Sequence, residues 1–541
     1  MADGSISSSP ERARQNHRGA WSSWALPSVA DLIFVAVLAS LVFTPLSVKL
    51  LGDAGVGWHI RTGQLILSTH AVPHVDPFST QIQKSWIAWE WLYDVLVGAL
   101  DSSAGLNGVV WVTATVIAGV FAGMFALLVR RGTDLLVALL LTLLAIAASM
   151  IHFLARPHVL SWLFALPWFW ILSSYESGSE KGRWHIWLLP MLMLIWANVH
   201  GGFLLGFVLL AIFWLGSLWT WLRQKESRLE ESLEKIAAGR RVRQLSVMGF
   251  VSAGASLVNP YGWNLHAHIY SYLTNRFFMN HIEEFQSPNF HGLAQRCFLI
   301  LLLIAVAVLA LRGRRLRASE ILIVLFAVYA GLYASRNIPI ASIFLVLIAG
   351  PLIPTVGVGG FGRRMIAVDS RLRGHMWPLA AAFATLLIAL NGGRAGSAQL
   401  MDAHFNPQRM PVAAVDFLQK HEDHGVRDPG PGCGRIGAIL GPDYWGGYFI
   451  YRLYPRTKVV IDDRHDFYGE PFLKSYLTMM HVEPGWRDFL DGHSCLVLPR
   501  KAALGEILTQ SPDWGAIYSD DVSIVFKLLQ FPADRNKVPE Q

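Results

Sequence analysis

Long apolar segments alternate with short polar ones along most of the chain. An apolar segment of about 20 residues, rising 1.5 Å per residue, is long enough to cross a bilayer as a helix. The continuous run 184–222 is too long for one span, and Asn198, Gly201 and Gly202 permit a tight reversal within it. The pattern thus predicts eleven spans, at roughly 29–50, 107–129, 134–154, 157–174, 184–198, 201–222, 244–258, 297–312, 319–334, 338–356 and 376–391.

Basic residues predict how these spans are oriented. Lys and Arg are concentrated in alternate loops, whereas the loops between them hold few. The positive-inside rule then places the N-terminal tail 1–28 in the cytoplasm. It places the loops 51–106 and 259–296, and the chain beyond residue 391, on the other side of the cell (inner) membrane. The basic segments are Arg12 to Arg18, Arg130 and Arg131, 181–183, 223–243, 312–317 and 357–375.

Composition agrees with a multi-pass membrane protein. Of 541 residues, 53% are hydrophobic and only 15% are charged, against about 25% charged in ordinary soluble domains. The net charge of +7 is explained by the basic loops, and no nucleic-acid-binding motif accompanies it, so we expect no nucleic-acid partner. The 223–243 loop interleaves opposite charges at helical spacing, which predicts a solvated helix.

The last part of the chain has a different pattern. After a linker at 392–404, helix-like and strand-like segments alternate over 405–541, which predicts a small extracytoplasmic α/β domain. Cys433 and Cys495 both fall here; they can pair in an oxidising compartment or remain buried thiols. The helix-like segments are 410–420, 443–453, 470–480 and 501–509, and the strand-like ones are 435–440, 458–461, 495–498, 515–519 and 522–528.

Charged residues crowd the end of the strand-like segment 458–461, from Asp462 to Asp466. The carboxyl ends of strands are where α/β sheets place ligands. Two interpretations fit this run. It can form a surface that recognises a substrate, or a salt-bridged turn that docks the tail on the membrane domain.

The first outer loop is the strongest candidate for a functional site. Gly52, Gly55 and Gly57 allow Asp53 to sit on an irregular backbone. Segments 62–68 and 87–100 predict two short helices lying on the membrane surface. Acids and histidines are costly so close to the bilayer, and they therefore indicate a site. The polar residues of interest in this loop are Asp53, His59, Arg61, Asp76 and Glu90.

Further polar residues lie at the outer ends of the predicted spans. Arg156 opens the fourth span, Asn198 and His200 lie between the fifth and sixth, and Arg336 lies between the ninth and tenth. We expect these groups to surround one cavity that opens outward at the bilayer surface.

This arrangement resembles the GT-C superfamily of membrane glycosyltransferases, which includes protein mannosyltransferases, aminoarabinose transferases and oligosaccharyltransferases. A first span, a long outer loop that begins with an Asp, many further spans and an extracytoplasmic tail carry the resemblance. The Asp-Glu pair of mannosyltransferases is absent, because Ala54 follows Asp53. The resemblance implies an inverting transfer of a sugar from a polyprenyl-phosphate-linked donor to an extracytoplasmic lipid, glycan or protein, with Asp53 acting at the acceptor.

In that chemistry Asp53 is the expected general base, and the leaving phosphate requires cations. No cofactor is required by the pattern, although a divalent metal is possible. The residues expected to bind the donor phosphate or another part of the substrate are Arg61, Arg156, Arg336, His59, Asp76, Glu90, Asn198 and His200.

Each assignment has a structural alternative. Asp53 can cap the loop, Asp76 before Pro77 suits a turn, and the arginines at span ends can snorkel to the interface. Glu90 and Asp94, four residues apart, can form the solvated face of a helix. Two other functions remain open: a transporter or flippase of lipid-linked sugars, and a membrane scaffold without catalysis.

Overall fold

The computed structural model describes residues 25–81, 83–223, 229–312, 316–354, 361–372, 374–423, 433 and 438–529. Most of the predicted N-terminal tail, with Arg12, Arg14 and Arg18, lies outside the described residues. So do the first half of the strand-like segment 435–440 and part of the basic loop 357–375.

Helices dominate the chain up to residue 390, as its apolar runs require. The first ten are α1 Val29–Phe43, α2 Leu46–Leu50, α3 Val56–Thr69, α4 Trp91–Ala104, α5 Leu106–Arg130, α6 Leu135–Ser149, α7 His158–Glu176, α8 Glu180–His185, α9 Leu189–Val199 and α10 Leu204–Arg223. The next eight are α11 Leu229–Ser256, α12 Trp263–Thr274, α13 Arg276–His281, α14 Leu293–Arg312, α15 Ala318–Tyr333, α16 Ile338–Ala349, α17 Phe361–Asp369 and α18 Met376–Leu390. Short 3₁₀ turns lie at Met150–His152, Ile186–Leu188, Gly201–Phe203, Glu283–Phe285, Ser335–Asn337 and Gly350–Leu352.

The helices show that this is a multi-helix membrane protein. Among the described residues, five helical segments are long and apolar enough to cross a bilayer: Leu106–Arg130, Leu135–His152, Gly201–Arg223, Leu293–Arg312 and Ser335–Leu352. Three shorter apolar helices, α1, α15 and α18, accompany them. The predicted break within 184–222 is present, because α9 ends at Val199 and a 3₁₀ turn precedes α10. The total of eleven spans stays a prediction.

Beyond residue 390 short strands join the helices. The strands are β1 Arg394–Ala395, β2 Ala398–Gln399, β3 Ala438–Ile439, β4 Lys458–Val459, β5 Cys495–Pro499, β6 Trp514–Ser519 and β7 Ser523–Leu528. The helices are α19 Val412–Asp423, α20 Asp443–Leu453, α21 His465–Tyr468, α22 Glu470–Met480, α23 Trp486–Leu490 and α24 Ala503–Gln510. Strands β1 and β2 are antiparallel, β3 and β4 are parallel, and β7 lies between β5 and β6 in an antiparallel sheet. Cys433 and Cys495 form a disulfide.

The first outer loop and the C-terminal part are joined through backbone hydrogen bonds. The Val459 N–H donates to the Phe78 carbonyl at 3.0 Å, and the Thr80 N–H donates to the Val459 carbonyl at 2.9 Å. Helix α3 also lies directly against α20, where the backbones of Gly57 and Gly447 approach so closely that neither position has room for a Cβ. This contact brings the charged turn after β4 to the start of the first outer loop.

Candidate active site

Three charged side chains from distant parts of the chain meet at one end of the helix bundle. Asp53 lies in the irregular turn before α3, Arg156 lies in the connection before α7, and Asp463 follows β4. The Arg156 Nε lies 3.2 Å from the Asp53 Oδ2, and the Arg156 guanidinium also contacts the Asp463 carboxylate. One arginine thus holds two carboxylates.

Local backbone structure fixes each member of this cluster. The Gly55 N–H donates to the Asp53 Oδ1 at 2.8 Å, and the Trp58 Nε1–H donates to the Asp463 Oδ1 at 2.9 Å. The Ala155 N–H donates to the Leu50 carbonyl at 2.7 Å, which ties the Arg156 connection to the end of α2. A Cβ at Gly55 would overlap both the Arg156 guanidinium and the Asp463 carboxylate, so a larger residue here would displace these two side chains.

The side chains of the cluster are partly exposed at the protein surface. The side chains of Asp53, Arg156 and Asp463 are 26%, 21% and 15% exposed. Burial raises the pKa of Asp463 to about 7, with Arg156 opposing that shift and the Asp53 charge adding to it. A group that enters the site therefore meets a cation and carboxyl oxygens together.

A second polar group lies behind this cluster, around Glu90. The His59 Nε2 is 3.7 Å from one Glu90 oxygen, and the His200 Nε2 is 3.6 Å from the other. The His59 Nδ1 is hydrogen-bonded to the Asp94 Oδ1 at 2.6 Å. His200 Nδ1 accepts the Gly202 N–H at 3.0 Å, so its Nε2 carries the proton that faces Glu90.

Burial sets the charge of this second group. Burial raises the pKa of Glu90 to about 8, with Arg156 opposing the shift, and raises the pKa of Asp94 well above its usual value. Burial also lowers the pKa of both His59 and His200 well below the usual imidazole value. At neutral pH the imidazoles are therefore uncharged and Glu90 is mostly protonated.

Arg336 forms an ion pair with Glu284, with 3.2 Å between the Arg336 Nη1 and the Glu284 Oε1. Although burial opposes ionisation of Glu284, Arg336 and Arg156 lower its pKa to about 2. The Arg336 guanidinium also lies over the ring of Phe285, 4.6 Å from its centroid. Because Arg336 and Arg156 both act on Glu284, Arg336 is a second cation near Arg156.

The other polar residues singled out in the sequence serve the packing of the loop. Asp76 is buried, with its Oδ1 2.8 Å from the Arg464 Nη1. Arg61 donates to the Tyr451 carbonyl and faces the C-terminal part of the chain. Asn198 accepts the Trp91 Nε1–H at 2.8 Å and donates to the Val258 carbonyl at 2.9 Å. In this structure these three side chains hold elements together, and a ligand role for them stays a prediction.

Arg464 itself is the buried centre of the docking turn. It is 2.6 Å from the Asp462 carboxylate, which also accepts the Tyr468 hydroxyl at 2.8 Å. Its guanidinium lies 4.6 Å from the centroid of the Trp86 ring. Of the two interpretations of the charged run, the docking turn therefore describes Asp462 and Arg464, whereas Asp463 points into the site.

Some residues of the site had no signal of their own in the sequence. Asp463 belonged to the charged run but was not separated from its neighbours. Ser161, which accepts the Trp196 Nε1–H at 2.8 Å and bonds His200 at 2.7 Å, is a single Ser in an apolar helix. Among the described residues no group of three or more His, Cys, Asp and Glu is placed to hold a metal ion.

Fold and site together define a multi-helix membrane protein whose charged cluster is completed by its C-terminal part. No protein-family model and no curated protein sequence matches the chain. The chain is similar to the crystal structure of ArnT from Cupriavidus metallidurans bound to undecaprenyl phosphate, with 13% identity, a TM-score of 0.47, and coverage of 92% of this chain and 97% of that chain. The apo structure of the same ArnT gives 12% identity and a TM-score of 0.48 at the same coverage.

At this identity and TM-score the likeness to ArnT carries no argument about function, and no residue role is carried over from it. The roles argued below rest on the geometry of this protein's own side chains.

Proposed function

We propose that the protein is an inverting membrane glycosyltransferase that moves a sugar from a polyprenyl-phosphate-linked donor to an extracytoplasmic acceptor. The observation that carries the proposal is the placement of Asp53 beside Arg156, 3.2 Å apart and partly exposed, at the end of a bundle of apolar helices. A carboxylate base and a phosphate-binding cation are what this transfer needs in one place.

In the proposed reaction an acceptor hydroxyl attacks the anomeric carbon while the bond from that carbon to the phosphate oxygen breaks. Asp53 takes the hydroxyl proton, and the polyprenyl phosphate leaves with the bonding electrons. Attack from the face opposite the phosphate inverts the configuration. Arg156 stabilises the negative charge that grows on the leaving phosphate, because a guanidinium forms paired hydrogen bonds with phosphate oxygens.

The surrounding groups favour entry of an anionic donor. A phosphate that competes for Arg156 frees a carboxylate oxygen of Asp53 to accept a proton. Glu90, protonated at neutral pH because burial raises its pKa to about 8, adds little negative charge that would repel the phosphate. Arg336 supplies a second cation near the cluster, and the polyprenyl chain would lie among the apolar helices.

The proposal includes the predicted topology of eleven spans, with the N-terminus in the cytoplasm and the tail outside the inner membrane. The disulfide between Cys433 and Cys495 supports an extracytoplasmic tail, because disulfides persist in oxidising compartments and are rare in the cytosol. In the part of the chain that the structure describes, no geometry favours the transporter or scaffold alternatives, whereas a base beside a cation favours group transfer.

Replacing Asp53 by Asn tests the catalytic assignment. Arg156 keeps Asp463 as its partner in this variant, so we expect the fold to be retained. The rate of sugar transfer should fall by roughly 10²–10⁴-fold, the usual contribution of a general base. Membranes containing the protein would be incubated with polyprenyl-phosphate sugars radiolabelled in the sugar, and label transferred to endogenous acceptors would be counted.

The matched control is Asp491→Asn, which changes an exposed acid outside the cluster. It should leave the rate unchanged. A folded Asp53→Asn protein that transfers sugar at the wild-type rate would show that Asp53 is not the base.

A further inference from the structure

A cavity of about 440 Å³ lies at the end of the helix bundle opposite the Asp53 cluster. Arg156, in that cluster, lies two residues before α7, whereas the cavity is lined by Ser173, Ser174 and Ser177 at the other end of α7. A helix of that length spans about 28 Å at 1.5 Å per residue. The cavity therefore faces the opposite leaflet and is separate from the proposed catalytic site.

The lining is rich in positive charge and hydroxyl groups. Arg130 and Arg131 at the end of α5, and Arg317 at the start of α15, contribute three guanidinium groups. Among the described residues that line the cavity, Glu320 is the single acid, and its Oε1 is 2.7 Å from the Arg131 Nη2. The lining therefore keeps a net positive charge that an anion can satisfy.

The arginines are held to different degrees. Arg131 is fixed: it donates to the Ser173 hydroxyl at 2.8 Å and lies 5.5 Å from the centroid of the Phe169 ring. Arg317 is more exposed, with its Nη1 3.5 Å from the Glu176 Oε2. Within the part of the chain that the structure describes, Arg130 has no hydrogen-bond or ion-pair partner, and its side chain is free to contact a ligand.

The same cavity has an apolar side, formed by Leu127, Trp170 and Pro351. Its volume is within the range of about 300–1,000 Å³ typical of small-molecule sites. Cations and hydroxyls beside an indole, at the end of membrane helices, match a phosphate group attached to acyl chains. Basic pockets between membrane helices bind anionic lipid headgroups in this way.

We propose that this cavity binds the headgroup of an anionic phospholipid from the leaflet opposite the Asp53 cluster, with Arg130, Arg131 and Arg317 around its phosphate. A free phosphate shares the charge but lacks the acyl chains that would contact Trp170 and Leu127. The proposal does not depend on the glycosyltransferase assignment, because none of these residues belongs to that site.

Native mass spectrometry of the purified full-length protein, titrated with phosphatidylglycerol or phosphatidylcholine, tests the proposal. The wild type should retain one phosphatidylglycerol in preference to phosphatidylcholine. Each basic residue near such a lipid contributes about 1 kcal/mol, so the combined variant Arg130→Gln and Arg317→Gln should bind it about thirtyfold more weakly. Arg312→Gln, an exposed basic residue outside the cavity lining, is the matched control and should bind as the wild type does.

Arg130→Gln alone changes an exposed side chain that has no partner among the described residues, so this variant should fold normally. Its affinity for phosphatidylglycerol should fall about fivefold. Three results would each overturn the proposal: equal retention of the two lipids by the wild type, the same loss in Arg312→Gln as in the cavity variants, or displacement of the lipid by soluble glycerol phosphate at equal concentration. The last result would assign the cavity to free phosphate instead.

Discussion

Glu90 is buried beside His59 and His200, and this environment links its protonation to the stability of the protein. Burial raises its pKa from 4.5 to about 8. Between these two values the folded protein keeps a proton on Glu90 that the unfolded chain has lost. The contribution of Glu90 to stability must therefore fall as the pH rises through this window, and it levels off above the folded pKa.

Replacing Glu90 by Gln should remove this dependence, because an amide does not titrate. The variant should show a flatter curve of apparent Tm against pH between 5 and about 9. Toward the alkaline end, its apparent Tm should rise relative to that of the wild type. Thermal unfolding in detergent across this range measures both curves. Glu283→Gln, at an exposed position, is the control and should follow the wild type; parallel curves for Glu90→Gln and wild type would contradict the assignment.

For single residues, the sequence predicted which side chains belong to the site better than which of them contact each other. Asp53, Arg156, His59, Glu90 and His200 were all singled out from their residue type and their position at the outer ends of the spans, and the structure places Asp53 against Arg156 and both histidines beside Glu90. Asp463 was not separated from its neighbours, because it lies 410 positions after Asp53 and no pattern in the chain reports a contact between them. Which acid in a charged run turns inward depends on tertiary packing, and sequence periodicity does not encode it.

Among the elements, helices α3 and α20 are held at unusually short range. The backbones meet at Gly57 and Gly447, where a Cβ on Gly57 would overlap the Gly447 carbonyl oxygen. A backbone atom cannot move aside as a flexible side chain does, so an added methyl must separate the helices. Because α20 belongs to the same C-terminal part as Asp463, this separation would also displace the site.

We therefore expect Gly57→Ala to destabilise the protein by about 1–3 kcal/mol and to reduce sugar transfer as well. The matched control is Gly254→Ala in α11, where an added Cβ has open space around it and alanine is favoured in a helix by roughly 0.5–1 kcal/mol. Thermal unfolding and the transfer assay on the same preparations compare them. Equal stability of the two variants would show that this contact does not hold the C-terminal part in place.

Element boundaries in the first outer loop were predicted less well than element types. The predicted helix 62–68 extends over Val56–Thr69, and the helix predicted at 87–100 begins only at Trp91. The segment before it is drawn out of helical geometry by long-range contacts: the Trp86 N–H donates to the His74 carbonyl at 2.9 Å, and the Ala88 N–H donates to the Tyr261 hydroxyl at 2.8 Å. Such contacts override local propensity.

One further difference and one agreement have local causes. The solvated helix 223–243 and the span 244–258 were predicted separately, yet α11 continues from Leu229 to Ser256, because neither a proline nor a polar turn separates the charged half from the apolar half. In the C-terminal part, the helices predicted at 443–453 and 470–480 have the bounds of α20 and α22. Their ends are marked locally by prolines at 442, 455 and 471 and glycines at 441 and 469.

For the molecule as a whole, the proposed function depends on which side of the membrane the Asp53 cluster faces. Helices α5 and α7 place the cluster and the arginine-lined cavity at opposite ends of the bundle. Once the side of the membrane that the cluster faces is known, the side that the cavity faces is therefore known as well. The sequence predicts the side from its basic loops, and the disulfide supports the same side for the tail. A protein inserted the other way would expose Asp53 to cytosolic sugars and its disulfide to a reducing compartment.

Single-cysteine labelling decides between the two orientations. Both variants are made in a Cys297→Ser background, where the two remaining native cysteines form the disulfide. Ser68→Cys places a thiol at the exposed end of α3. Lys181→Cys places a thiol on α8, which follows the far end of α7. A membrane-impermeant maleimide is applied to intact cells after any outer membrane has been opened. It should label the Ser68→Cys variant. The Lys181→Cys variant should react only after the inner membrane is permeabilised. The reverse result would place Asp53 in the cytoplasm, away from any extracytoplasmic acceptor, and would exclude the proposed reaction whatever the geometry of the cluster.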